Sequence, residues 1–247
     1  MNLKFASLII CLLVCIATMG YGQESQLLSK PGSEPEVYGA LVKPETPGTY
    51  PAVIILYGSS GWKPAYVNMA EELADAGFVT LVLDYYAAMK LNADMSNAMT
   101  AFPLWKDELQ GAVKLLTEDP STAGSPVGLL GFSLGGYLAV STANSMPEVK
   151  AVVEFFGGAV DQMNLESQAR DFPPLLIIHG EKDEDVPVSK AYELRDAVLA
   201  QGGEVEMKIY PGAPHGFNAT WAPWYNDSLA NDSFQRTVDF FTRKLKN

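Results

Sequence analysis

The sequence predicts an α/β fold built on a doubly wound, mostly parallel sheet with no large lid domain. Three observations lead there. From about residue 52 to the end, apolar runs of five or six residues alternate with stretches of helical spacing; that order gives parallel strands joined by crossover helices. The runs are apolar throughout rather than alternating, as strands covered on both faces are. The chain has 247 residues, 48% hydrophobic and 19% charged, which suits one large globular domain and excludes a disordered or collagen-like chain.

Residues 1–22 stand apart from this pattern. Lys4 is a thin positive start, Phe5 to Ala17 is a continuous apolar run, and Gly20 and Gly22 occupy the −3 and −1 positions of a cleavage before Gln23. This is the layout of a secretory signal peptide, and the run is too short for a comfortable membrane span. The expected organisation is a signal peptide over 1–22 and a single domain over 23–247, secreted or periplasmic. The two cysteines, Cys11 and Cys15, lie in the leader, so the mature chain would carry no disulfide and no thiolate ligand.

The elements follow in order. Residues 23–36, with Pro31, Gly32 and Pro35, read as a loose lead-in, and Val37 to Val42 as a first strand. Ala52 to Tyr57 reads as a buried strand. Tyr66 to Ala76 has helical spacing through Val67, Ala70, Leu73 and Ala74, and Gly77 is its stop. Phe78 to Leu83 is a strand, and Pro103 to Thr117 a helix with Leu104, Leu109, Val113 and Leu116 on one side. Val127 to Gly131 is a strand and Ser133 to Asn144 a helix. Lys150 to Phe156 and Leu175 to His179 are strands. Ser189 to Ala200 is a helix closed by Gly202 and Gly203, Glu204 to Tyr210 a strand, and Ser228 to Lys246 an amphipathic helix. Ligands in such sheets bind at the carboxyl ends of the strands, so chemistry is sought in the residues that follow each one.

One strand ends in Gly131-Phe132-Ser133-Leu134-Gly135-Gly136. A serine in a sharp strand-to-helix turn needs flanking glycines, because side chains there would collide. Serine attacks poorly unless a base takes its proton. The chain has two histidines. His215 lies in a loop after the last strand, from which it can reach across to the serine, and is the expected base; His179 ends a strand and reads as structural. The third member must accept the other imidazole N–H. Among the acids of Gly180-Glu181-Lys182-Asp183-Glu184-Asp185, Asp183 is the choice and Asp185 the runner-up.

These residues give the chain a resemblance to the dienelactone hydrolase family of α/β-hydrolases. It is carried by the Val53 to Leu56 strand with its loop, Leu83-Asp84-Tyr85-Tyr86, Gly131 to Gly136, His179-Gly180-Glu181-Lys182-Asp183, Pro214-His215-Gly216-Phe217, and Phe234-Gln235-Arg236-Thr237 to Phe240-Phe241. The resemblance implies the α/β-hydrolase fold. It departs where the family's namesakes have a cysteine nucleophile, which is Ser133 here. Two arginines that hold a substrate carboxylate in the namesakes correspond to Ala87 or Ala88 and to Ala219, and their glutamate after the first core strand to Tyr57-Gly58. An anionic dienelactone is therefore not the expected main substrate. The net charge of −12 also disfavours anionic substrates, nucleic acid and anionic membranes.

The developing oxyanion needs backbone N–H donors. Leu134, which follows the serine, is one; alignment with the family gives Ser59 as the other, with Gly58 next. Tyr57, Trp62, Tyr85, Tyr86, Trp221, Trp224 and Tyr225 crowd the same edge. Tyr57, Trp62, Tyr86 and Trp221 are expected to bind substrate, each also compatible with ordinary packing. Residues 87–102 and 157–173 are the longest insertions, too short for a large lid. The expected activity is hydrolysis of a small or surface-accessible carboxylic ester through a Ser-His-Asp acyl-enzyme, with no cofactor, no metal and no stable membrane insertion after leader removal. A peptidase of the same fold and a non-catalytic binding protein on this scaffold are the alternatives. No oligomeric state follows from the pattern.

Overall fold

The apolar runs come together as one eight-stranded sheet in the computed structural model, which describes residues 24–30, 32–87, 95–159 and 172–246. Residues 1–23 and parts of both long insertions, 88–94 and 160–171, lie outside the described residues, so the expected signal peptide does too. The strands are β1 (Gln26–Leu27), β2 (Tyr38–Val42), β3 (Ala52–Leu56), β4 (Val79–Leu83), β5 (Val127–Phe132), β6 (Val149–Phe155), β7 (Leu175–Gly180) and β8 (Val205–Tyr210). Their order is β1-β2-β4-β3-β5-β6-β7-β8. β3 to β8 are mutually parallel, and β2 pairs antiparallel with both β4 and β1. β3, β4 and β5 are buried at every residue, which explains their unbroken apolar runs. Among the described residues no helix is long and apolar enough to cross a membrane.

Among the described residues five helices cover the sheet: α1 (Pro64–Asp75), α2 (Met95–Glu118), α3 (Leu134–Ala143), α4 (Ser189–Leu199) and α5 (Asp227–Leu245). Two glycines of β5 show that α3 and α5 lie on opposite faces. A Cβ on Gly131 would meet the Gly135 backbone of α3 at 2.3 Å, and one on Gly128 would meet Phe241 of α5 at 2.7 Å. Residues three apart on a strand point to opposite faces. The chain runs outward from β3 to β4, then crosses back over β3 to β5 and continues to β8. The carboxyl ends of β3 and β5 are thus neighbours whose connections depart in opposite directions, the crevice where open α/β sheets bind ligands.

Three sequence readings change. The lead-in contains β1, too short for any alternation to reveal; Leu28 N–H donates to Val37 O at 2.8 Å beside it. α2 begins at Met95, and Pro103 lies inside it rather than at its start. Leu104 is exposed, and the inward face of α2 is Ala101, Trp105, Leu109, Ala112 and Leu116, a spacing of three and four residues. α3 begins at Leu134, with Ser133 as its N-cap.

Candidate active site

Ser133 stands at the end of β5, beside the end of β3. Its backbone has φ 51° and ψ −116°, a conformation that costs a residue with a side chain on the order of 1–3 kcal/mol. The surroundings hold it there. Its N–H donates to Phe155 O at 2.9 Å, and its carbonyl accepts from Tyr137 N–H at 3.1 Å in the first turn of α3. The flanking glycines are needed for contact: a Cβ on Gly135 would lie 2.1 Å from Leu56 O. The turn is therefore pressed against β3, and the Ser133 side chain is lifted above the strand ends.

The loop after β8 brings His215 over Ser133. The Ser133 hydroxyl donates to His215 Nε2 at 3.1 Å, and His215 Nδ1–H donates to Asp183 Oδ2 at 2.7 Å. Asp183 Oδ1 accepts the N–H groups of Asp185 and Val186 at 3.0 and 2.8 Å. Burial opposes ionisation of Asp183, but hydrogen bonds from His179, His215 and Val186 N–H outweigh it and hold the carboxyl at about 2. The structure thus brings Asp183, not Asp185, to His215. Asp185 is exposed and supplies a backbone N–H.

His179 is closer to this chemistry than its sequence position suggested. It is fully buried, and its Nε2–H donates to Val186 O at 2.9 Å while lying 3.4 Å from Asp183 Oδ2. One carboxylate oxygen therefore faces two imidazoles. Glu154, fully buried on β6, accepts from Gly157 N–H at 2.7 Å through Oε2. Burial pushes its carboxyl up to about 7, against the pull of His179 and the Gly157 N–H. Glu154 Oε1 and His179 Nδ1 are buried without a hydrogen-bond partner among the described residues. The Gly157 bond anchors the turn that holds Phe156 at φ 42°, and the Phe156 ring packs edge-on against His215 at 4.7 Å. An isolated acid in an apolar strand could have flagged Glu154; sequence reasoning passed over it.

The loop after β3 completes the crevice. Gly58 sits close enough that a Cβ on it would lie 3.4 Å from Ser133 Cβ. A turn closes over it, with Gly61 N–H donating to Gly58 O at 3.0 Å and Gly61 at φ 77°. Gly58 N–H points toward the Tyr66 hydroxyl at a long 3.5 Å. The N–H groups of Leu134 and Ser59 make no hydrogen bond to another described group, and both residues line the cavity over Ser133, about 610 Å³ in volume.

The aromatic residues divide. Tyr57 and Tyr86 do not line the cavity; they are buried and stack with Tyr85 against Trp105 in the core. The Tyr57 hydroxyl donates to Asp84 Oδ1 at 2.7 Å, which satisfies it internally. Trp62 also lies off the cavity wall, edge-on to Tyr57. Trp221, with Trp224 and Tyr225, does reach the cavity. So do Tyr66 of α1 and Phe132, Phe155 and Phe156 at strand ends; sequence reading did not single these out, because strand ends and inner helix faces carry core residues too.

A model described as the Dienelactone hydrolase family matches residues 37–245. A protein of Aquifex aeolicus (strain VF5) named "Putative carboxymethylenebutenolidase" is 30% identical over 224 residues, 85% of this chain and 95% of the relative. A Yersinia pestis relative of the same name is 26% identical over 229 residues, 86% of each chain. Among solved structures, the dienelactone hydrolase from Anabaena variabilis ATCC 29413 matches with a TM-score of 0.68 at 24% identity, over 91% of this chain and all of that one. A dienelactone hydrolase-like promiscuous phosphotriesterase from metagenomic libraries matches with a TM-score of 0.74 at 22% identity, over 85% and 93%. At these identities the solved structures establish likeness of fold.

Proposed function

The chain belongs to the dienelactone hydrolase family and is a hydrolase, and from that premise we propose that it is a secreted or periplasmic serine hydrolase of carboxylic esters. The observation that carries the reading is the continuous line of contacts from Ser133 Oγ through both nitrogens of His215 to Asp183. In the reaction, Ser133 Oγ bonds to the ester carbonyl carbon as its proton passes to His215 Nε2. Asp183 keeps Nδ1 protonated and stabilises the imidazolium. The carbonyl oxygen, now negative, takes the N–H groups of Leu134 and Ser59, each donor worth about 2.7–4 kcal/mol. The carbon–oxygen bond to the alcohol breaks as His215 returns the proton to the alcohol oxygen. Water then repeats the sequence on the acyl-enzyme and frees the acid, and the chemistry calls for no cofactor.

The export reading rests on the leader pattern of residues 1–22. The catalytic reading is tested by intact-mass analysis of residues 23–247 after a fluorophosphonate probe. One adduct per chain, lost in Ser133→Ala and His215→Ala, is the expected result. A folded wild-type protein that takes no label would overturn the reading and favour a binding role for this scaffold.

A further inference from the structure

The cavity mouth differs in chemistry from the rest of the site. Six large hydrophobic side chains are exposed among the described residues, and three of them, Trp221, Trp224 and Tyr225, sit within five residues on the cavity rim. Such a cluster marks a binding surface rather than scattered exposure. Trp221 leans on Tyr66, with ring centroids 5.4 Å apart at 60°, and is still 42% exposed. Trp224 Nε1–H donates to His215 O at 2.6 Å, so the rim and His215 are held together. Beside the rings, Asn68, Asn218 and Thr220 line the cavity with side chains that have no partner among the described residues. No lysine or arginine is found among the described lining residues, whereas Glu72 and Asp185 both are.

Resting on the ester-hydrolase reading, we propose that the alcohol half of the substrate is an uncharged sugar ring stacked on Trp221. His215 must return a proton to the leaving alcohol oxygen, so the alcohol lies on the His215 side, and the rim is built from the chain that follows His215. A sugar ring presents a C–H face to an indole and hydroxyls at its edge to free amides and hydroxyls. A simple alkyl alcohol would leave those amides unused, and an anionic alcohol would meet two carboxylates with no cation.

The test compares two acetate esters that share an acyl group, methyl 6-O-acetyl-β-glucoside and ethyl acetate. The expected kcat/KM favours the sugar ester by about tenfold or more. Trp221→Ala brings the ratio near one, and Trp221→Phe, which keeps a ring, restores most of it. Equal turnover of the two esters by protein that a fluorophosphonate still labels at Ser133 overturns the sugar inference and leaves the esterase reading standing. If neither ester is cleaved and no label appears, the esterase reading has failed. Titration of unesterified methyl β-glucoside into Ser133→Ala, read by tryptophan fluorescence, then decides the sugar site by itself. A saturable change lost in Trp221→Ala supports it, and no change overturns it.

Discussion

At the residue scale, the behaviour of the site turns on two buried carboxyls shifted in opposite directions. Asp183 is ionised and receives two imidazoles and two backbone N–H groups. Asp183→Asn keeps the shape but offers an N–H where His215 Nδ1 must donate. The expected result is a fall in kcat of about 10⁴-fold, with fluorophosphonate labelling slowed in parallel. The carboxyl's depressed pKa also contributes stability that is full above the unfolded value of 3.8 and is lost as pH falls toward 2. Glu154 has the opposite sign. Its folded carboxyl holds a proton up to about 7, whereas the unfolded chain releases it near 4.5. Folding therefore loses stability as pH rises through this window, on the order of 3 kcal/mol in full. Glu154→Gln should flatten that dependence: urea midpoints at pH 5 and pH 8 should lie closer together than in the wild type. Unchanged pH dependence would mean that Glu154 titrates normally.

At the element scale, the strand-to-helix turn is where the fold and the site constrain each other. Gly135→Ala would put a Cβ 2.1 Å from Leu56 O. Backbone there cannot yield cheaply, so α3 must lift away from β3, carrying Leu134 N–H with it. The expected outcome is destabilisation of about 1–3 kcal/mol or more, seen as a lower midpoint in thermal unfolding, with loss of esterase turnover even at temperatures where the variant stays folded. The glycine pattern made this turn legible. The start of α2 was not, because Pro103 has the form of a helix-opening residue, and only packing of Ala101, Trp105 and Leu109 reveals the continuous helix. The aromatic residues failed for a related reason. Tyr57 and Trp221 look alike as letters, but the Tyr57 hydroxyl finds Asp84 and turns the ring inward, whereas Trp221 leans on the side of Tyr66 and stays exposed.

At the scale of the whole molecule, the proposed signal peptide over residues 1–22 makes predictions of its own. Expressed with its own leader and recovered outside the inner membrane, the protein should have an intact mass beginning at Gln23. A full-length mass would sink the signal-peptide reading. On the same reading both cysteines, Cys11 and Cys15, are removed with residues 1–22, and the processed protein should then unfold at the same temperature with and without a reductant.

The sequence by itself determined the alternation of strand and helix, the family, and which serine, histidine and acids could meet. Those follow from periodicity and from residue types at strand ends, which are local properties of the chain. Only the tertiary structure decided that Asp183 rather than Asp185 faces His215, that His179 shares the same carboxylate oxygen, and that Glu154 lies buried behind them. It also decided which rings border the cavity and which close the core. These are questions of direction within a few ångströms. They depend on contacts among β3, β5, β6, β7 and the loop after β8, which are distant in the chain and adjacent only once the sheet has formed.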